Sequence, residues 1–230
     1  MKKTKKDREA TMEEEMNTLR AGVLGSNDGI LTVVGVLFSV GAATSNRFTI
    51  LLAGLSDLVA CALSMSAGEY ASVSVQRDTE KSAVEEEKER IANDLPGETE
   101  VIKKYYMGKG VLEATAEKIA QQLIQRSDRL AILVNIRNGF ELDQYLNPWA
   151  AAFSSLFSAA LGGLFPLAAM TFASAPFRWP ATILAVVVSV GLTGAISAKL
   201  GRANMRRAII RNIVVGIIPM AIHYGVGQLF

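Results

Sequence analysis

Asp57 sits in LSDLVACALSMSAGEY, Leu55 to Tyr70, a stretch apolar enough to cross a bilayer that also carries Cys61, Met65 and Glu69. On an ideal helix Ser64 and Gly68 fall within about 20° of Asp57, Cys61 at about 40° and Met65 at about 80°. One face thus offers a carboxylate, two sulfurs and a seam of small residues. A second acid, Asp28, lies in GVLGSNDGILTVVGVLFSVGAA between Gly25 and Gly29. A carboxylate in hydrocarbon costs roughly 2.5–3.5 kcal/mol and marks an ion or proton path by default. The plainer alternative is a helix end dipping into headgroups with Asp57 solvated. Outside Asp7 to Glu15 and the section from Asp78 to Asp143, the only acids are Asp28, Asp57 and Glu69, and no span holds a central lysine or arginine. An unpaired acid either keeps its proton or binds a cation. A site that does both in turn exchanges protons for cations, because deprotonation creates the ligand.

Ligand softness narrows the cation. Carboxylates alone suit magnesium or calcium, whereas the Met65 thioether, with or without Cys61, favours ferrous iron, manganese or cobalt. Met65 as a gap-filling residue, Cys61 as a small packing residue and Glu69 as a solvated gate are the alternatives.

The elements that must hold these residues follow from segregation of charge. Half the residues are hydrophobic and a fifth charged, with mean hydropathy +0.26. Ala150 to Phe177 and Pro180 to Ala198 carry no charge, and Asn212 to Phe230 has only the titratable His223. Each run is long enough to span about 30 Å of hydrocarbon. The pattern predicts an all-α polytopic membrane protein with five spans and a cytosolic helical insertion between the second and third. Residues 1–20 form a cytosolic arm, helical from about Asp7; 21–76 hold the first two spans; 77–145 the insertion; 146–230 the last three. The first span is Ala21 to Thr44, followed by a Ser45-Asn46-Arg47 turn. The second helix continues past Tyr70 until Pro96-Gly97, two amphipathic helices follow, and Pro148 opens the third span. The third span ends near Ala175 and the fourth runs from about Ala181 to Lys199. Lys199, Arg202, Arg206, Arg207 and Arg211 lie in the link before the last span, while the opposite side has only Arg47 and Arg178. The positive-inside rule then places the N-terminus in the cytosol and the C-terminus outside.

Other function classes lose ground. A net charge of +2 without a basic aromatic stripe gives nucleic acid no footprint. One cysteine excludes an intrachain disulfide framework. MKKTKKDREATMEEEM has no apolar core and does not read as a cleavable signal peptide. No phosphate-binding glycine loop and no catalytic triad appears, so an enzyme is not expected. In the insertion, Glu85, Glu86, Glu87, Glu89, Glu98, Glu100, Glu113, Glu117 and Glu141 either collect divalent ions or form a solvated face balanced by Lys81, Lys88, Lys103 and Lys104. His223, near the outer end of the last span, reads by default as a packed or headgroup-facing histidine.

LRAGVLGSNDGILTVVGVLFSVGAA and LSDLVACALSMSAGEYASVSVQRDTE resemble the vacuolar iron transporter family, and the resemblance extends over the whole chain. It implies a homodimer in the bilayer that exports ferrous iron, often manganese, in exchange for protons along a path lined by the first two spans. Cobalt and zinc are further candidate ions. By position Asp28 matches the family's first-span aspartate and Met65 its second-span methionine, while Asp57 stands where many members have glutamate. Glu69 completes the expected transport path. Glu87, Glu98, Glu100 and Glu141 are the counterparts of a metal-collecting set in the insertion, where Lys103 and NIRNGFELD depart from the family pattern. Open alternatives are a passive divalent-cation channel and a membrane-anchored structural or sensing protein. A bacterial inner membrane is the expected location, a vacuolar membrane the alternative.

Overall fold

The computed structural model describes residues 12–229, apart from the Glu13 side chain. The arm's Lys2, Lys3, Lys5 and Lys6 lie outside the described residues. Every regular element among the described residues is helical: α1 Met12–Ala43, α2 Arg47–Asn93, α3 Leu95–Gly108, α4 Glu113–Ile124, α5 Arg129–Asn138, α6 Pro148–Phe172, α7 Arg178–Leu200 and α8 Met205–Gly227, with a short 3-10 turn, Ala175–Phe177, between α6 and α7. Five of these, α1, α2, α6, α7 and α8, are long and apolar enough to cross a membrane. The chain divides into two compact units, residues 1–73 with 147–230 and residues 74–146, the division falling within α2.

In the first unit α1 and α6 cross through small residues. A Cβ on Gly29 would stand 2.1 Å from the Ala159 carbonyl oxygen, and one on Gly163 would stand 2.6 Å from that of Gly29. In lipid, close backbone approach replaces the hydrophobic effect as the source of helix association. Around that crossing Ile30, Val33, Val34 and Leu37 pack with Leu167, Met170, Val186 and Met220. Phe153, Phe157, Leu161 and Phe165 face outward from α6, a belt suited to acyl chains and costly in water. Asparagines set the helix starts. Asn46 accepts from the Phe48 and Thr49 amides, Asn147 from Trp149 and Ala150, and Asn204 from Arg207, each such cap contributing about 1 kcal/mol.

Two boundaries differ from expectation. Helix α8 begins at Met205, so Arg206, Arg207 and Arg211 lie within its first turns rather than in a link. Helix α1 reaches back to Met12 and carries Arg20 with it.

In the second unit, α2 ends at Asn93 where Pro96-Gly97 foretold a break, yet the same dipeptide starts α3. Asp94 caps it by accepting from the Gly97 amide at 2.9 Å, with Pro96 in the first turn, where no amide is needed. Three helices follow, not two. The missed break lies at Arg126–Asp128, where the guanidinium pairs with the carboxylate at 2.7 Å and ties a tight turn. Gly139, at φ 77°, ends α5 in a left-handed conformation that glycine adopts at no steric cost. Ile102, Ala120, Ile124 and Leu133 form this unit's core.

Candidate metal path

Asp57 is ten residues into α2 from Arg47, and Thr32 eleven residues into α1 from Ala43. At 1.5 Å per residue each lies about 15 Å from its helix end, a distance equal to half a hydrocarbon layer of about 30 Å. The Thr32 hydroxyl neighbours both the Asp57 carboxylate and the Cys61 thiol, and it donates to the Asp28 carbonyl at 2.9 Å. Oδ2 of Asp57 is buried and accepts no hydrogen bond. A desolvated, unpartnered oxygen costs about 1–3 kcal/mol, more when charged; a proton or a cation removes that cost.

Asp28 lies within electrostatic reach of Cys61, its side chain exposed on the single chain. Cys61 is buried, whereas Met65 is half-buried one turn farther along α2. Ser64 and Gly68 are exposed, and nothing lies within 4 Å of a Cβ placed on Gly68. Glu69 is buried and takes a salt bridge from Arg20 at 3.2 Å. The expectation that no basic residue pairs with the intramembrane acids therefore fails for Glu69. Arg20 belongs to the expected helical arm, and because α1 runs unbroken from Met12 through it, the arm delivers its guanidinium to α2. Among the described residues no lysine or arginine pairs with Asp28 or Asp57.

Two further groups lie beside these residues without having been singled out for chemistry by spacing along the chain. Thr32 is one turn after Asp28, a repeat visible in the sequence but without meaning until α2 is placed. His223 does not face headgroups alone. Its ring lies against Gly35, where an added Cβ would be 2.7 Å from Nε2, and its Nδ1 is 3.3 Å from the Ser39 hydroxyl.

Within the second unit the predicted metal-collecting acids are engaged by cations. Arg137 bridges Glu87, at 3.0 Å, and Glu98, at 2.5 Å, while Arg90 reaches Glu86 and Glu87. Lys103 holds Glu113 and Glu117 at 3.0 and 3.1 Å and Glu100 at 3.9 Å. These carboxylates raise the Lys103 ammonium well above its ordinary value, and Lys103 lowers Glu117. Glu141 accepts from Gln144 and stands apart from the others. Glu87 and Glu98 are thus brought together, Glu100 joins a different cation, and one oxygen of Glu87 has no partner. Among the described residues no three histidine, cysteine, aspartate or glutamate side chains converge as a metal cage.

Five helices long and apolar enough to cross a bilayer, two of them carrying the acids Asp28 and Asp57, define an integral membrane protein. The chain belongs to the VIT family, whose pattern matches residues 19–228; that family is one of transporters, not of enzymes. It is 36% identical over 214 residues to a vacuolar iron transporter of Acanthamoeba castellanii, covering 92% of this chain and 78% of the relative. It is 33% identical to vacuolar iron transporter homolog 1 of Oryza sativa, covering 92% and 73%, and 27% identical to VIT-like transporter 1b of Glycine max, covering 92% and 75%.

Proposed function

We propose that this protein exports ferrous iron, and manganese with it, from the cytosol in exchange for protons. The observation that carries the proposal is the carboxyl of Asp57, about 15 Å from the start of α2, with a buried oxygen that no group among the described residues satisfies. Relatives named as iron transporters supply the metal. In one state Asp57 holds a proton. In the other it is an anionic ligand, so entry of M²⁺ and loss of H⁺ are linked. Asp28 adds a second carboxylate and Met65 a soft donor that favours ferrous over magnesium ions. Glu69, paired with Arg20, forms the mouth, where the guanidinium competes with an arriving cation.

A single chain supplies too few ligands, and a homodimer doubles them. Only 22% of the apolar window of α2 and 17% of that of α8 are buried within the chain, against 44% for α1 and for α6; of the two, α2 is the one that carries Asp57 and Met65, and it is the face proposed for a second copy. The basic residues around Lys199 to Arg211 and the charged section 74–146 share one side of the membrane by their place between spans, and the positive-inside rule makes that side cytosolic. Export is then toward the C-terminal side, the lumen of a vacuole or the outside of a bacterial inner membrane. Transport chemistry belongs to α1 and α2, since Glu87, Glu98 and Glu100 are already balanced by Arg137, Arg90 and Lys103.

The test is Fe²⁺ and Mn²⁺ uptake into proteoliposomes under an imposed pH gradient. Asp57→Ala and Asp28→Ala should each lower uptake at least tenfold. Uptake equal to the parent's in both would remove the assigned site.

A further inference from the structure

We propose that His223 is a metal ligand on the transport path, acting through Nε2 at a station beyond Asp57 toward the C-terminal end of α1. The proposal rests on the transport function above and extends it to a third helix.

The geometry fixes the imidazole from two sides. On α1, Asp28, Thr32, Gly35 and Ser39 fall within about 60° of one another at 100° per residue, so one stripe of the helix is polar or bare. Thr32 and Asp57 meet on this stripe. About 10 Å farther along, at 1.5 Å per residue, Ser39 meets His223. Gly35 lies between them, and any larger residue there would collide with the ring, since its Cβ would be 2.7 Å from Nε2 and 2.9 Å from Cδ2. His223 and Asp57 are within electrostatic reach of each other.

Hydrogen bonding then fixes the tautomer. The Ser39 hydroxyl donates to the His223 carbonyl at 3.1 Å, an atom that can only accept. Its single proton is thereby used, so its contact with Nδ1 at 3.3 Å requires Nδ1 to donate. With the proton placed on Nδ1 in this way, Nε2 of His223, a residue exposed on the single chain, carries a lone pair with no hydrogen-bond partner among the described residues. This is how a ligating histidine is prepared: one nitrogen is held by a partner that sets the ring's orientation, and the other is left open. Neutral imidazole suits iron, cobalt, nickel and zinc better than magnesium or calcium. A single such donor also fits a transported ion, which must bind firmly enough to enter and weakly enough to leave.

The chain has one histidine, so selective ¹⁵N-histidine labelling of the full-length protein in lipid nanodiscs reports this ring alone. The expected metal-free spectrum shows a protonated Nδ1 and a bare Nε2. Added Zn²⁺ should shift the Nε2 resonance selectively, Mn²⁺ should broaden it, and Mg²⁺ should do neither. Ser39→Ala should preserve the fold, mix the tautomers and weaken the Zn²⁺ response about tenfold. In proteoliposomes His223→Ala should raise the Fe²⁺ concentration for half-maximal uptake several-fold. A protonated Nε2, or an Nε2 resonance indifferent to Zn²⁺ and Mn²⁺, overturns the assignment. Asp57→Ala measured in parallel separates the two claims. Lost uptake in Asp57→Ala with an indifferent imidazole discards His223 alone, whereas parental uptake in Asp57→Ala with a responsive imidazole discards the carboxylate site and leaves His223 a ligand.

Discussion

Replacing Gly29 with alanine tests whether the α1–α6 crossing sets the position of Asp28, its neighbour in sequence. The added Cβ would lie 2.1 Å from the Ala159 oxygen, 2.7 Å from its carbonyl carbon and 2.8 Å from its Cα. All three are backbone atoms, so no side chain can rotate away. Restoring ordinary contact requires the helices to separate by about 1 Å, which also loosens the close approach of Gly163 to the Gly29 carbonyl. Overpacking of this kind costs about 1–3 kcal/mol, and the rigid obstacle places it in the upper half of that range. Better helix propensity returns at most about 1 kcal/mol. The net loss is about 2 kcal/mol, roughly a thirtyfold shift in the unfolding equilibrium. Gly191→Ala is the control, because its Cβ would meet only Ile209 and Ile213 at 3.9 Å, and it should be neutral or slightly stabilising. Reversible unfolding in mixed micelles, followed by tryptophan fluorescence, measures both. Equal stability of Gly29→Ala and Gly191→Ala would refute the reasoning, as would Fe²⁺ uptake unchanged in a Gly29→Ala protein that is destabilised as expected.

Arg137→Ala leaves Glu87 and Glu98 buried without their shared cation and should destabilise residues 74–146 by about 3 kcal/mol, the low end for a broken buried pair because Arg137 is partly exposed. Amide exchange in α3 and α5 reads this loss, and adding Glu87→Gln and Glu98→Gln should recover most of it. Glu117, whose carboxyl Lys103 holds below the ordinary value of 4.5, contributes stability that is present above that pH and lost as pH falls through its lowered value. Lys103 is raised, so its contribution is complete below its ordinary 10.5 and is lost only at more alkaline pH, as pH rises through its raised value. Lys103→Met should therefore make the acid-side fall in α3–α4 protection shallower. Arg20→Gln should free Glu69 at the mouth, cost under about 1 kcal/mol for so exposed an arginine, and lower the Fe²⁺ concentration needed for half-maximal uptake.

Much of this architecture was legible from charge segregation alone. Uncharged runs of spanning length, together with the Ser45-Asn46-Arg47 turn and Pro148, mark helices of the first unit, whereas the start of α8 at Met205 is hidden by the arginines that follow it. The turn at Arg126–Asp128 was not legible, because Ser127 and Asp128 interrupt an otherwise helix-compatible stretch without glycine or proline. Asp57 could be singled out by its charge in apolar surroundings. Thr32, Arg20 and His223 could not, since each is unremarkable until a second helix is laid beside it. At Glu87 and Glu98 the sequence left metal capture and a salt-bridged face both open. Acid spacing along a sequence cannot reveal that Arg137, 39 residues from Glu98 and farther still from Glu87, pairs with both.

The most direct measurement follows both ions in the same vesicles. Proteoliposomes with a pH-sensitive dye and an iron indicator inside receive Fe²⁺ outside at equal starting pH. Coupled exchange predicts that iron entry drives protons out, so the interior turns alkaline in step with metal uptake, and that Asp57→Asn loses both signals together. Iron entry with no proton counterflow, or proton movement that survives in Asp57→Asn, would contradict it.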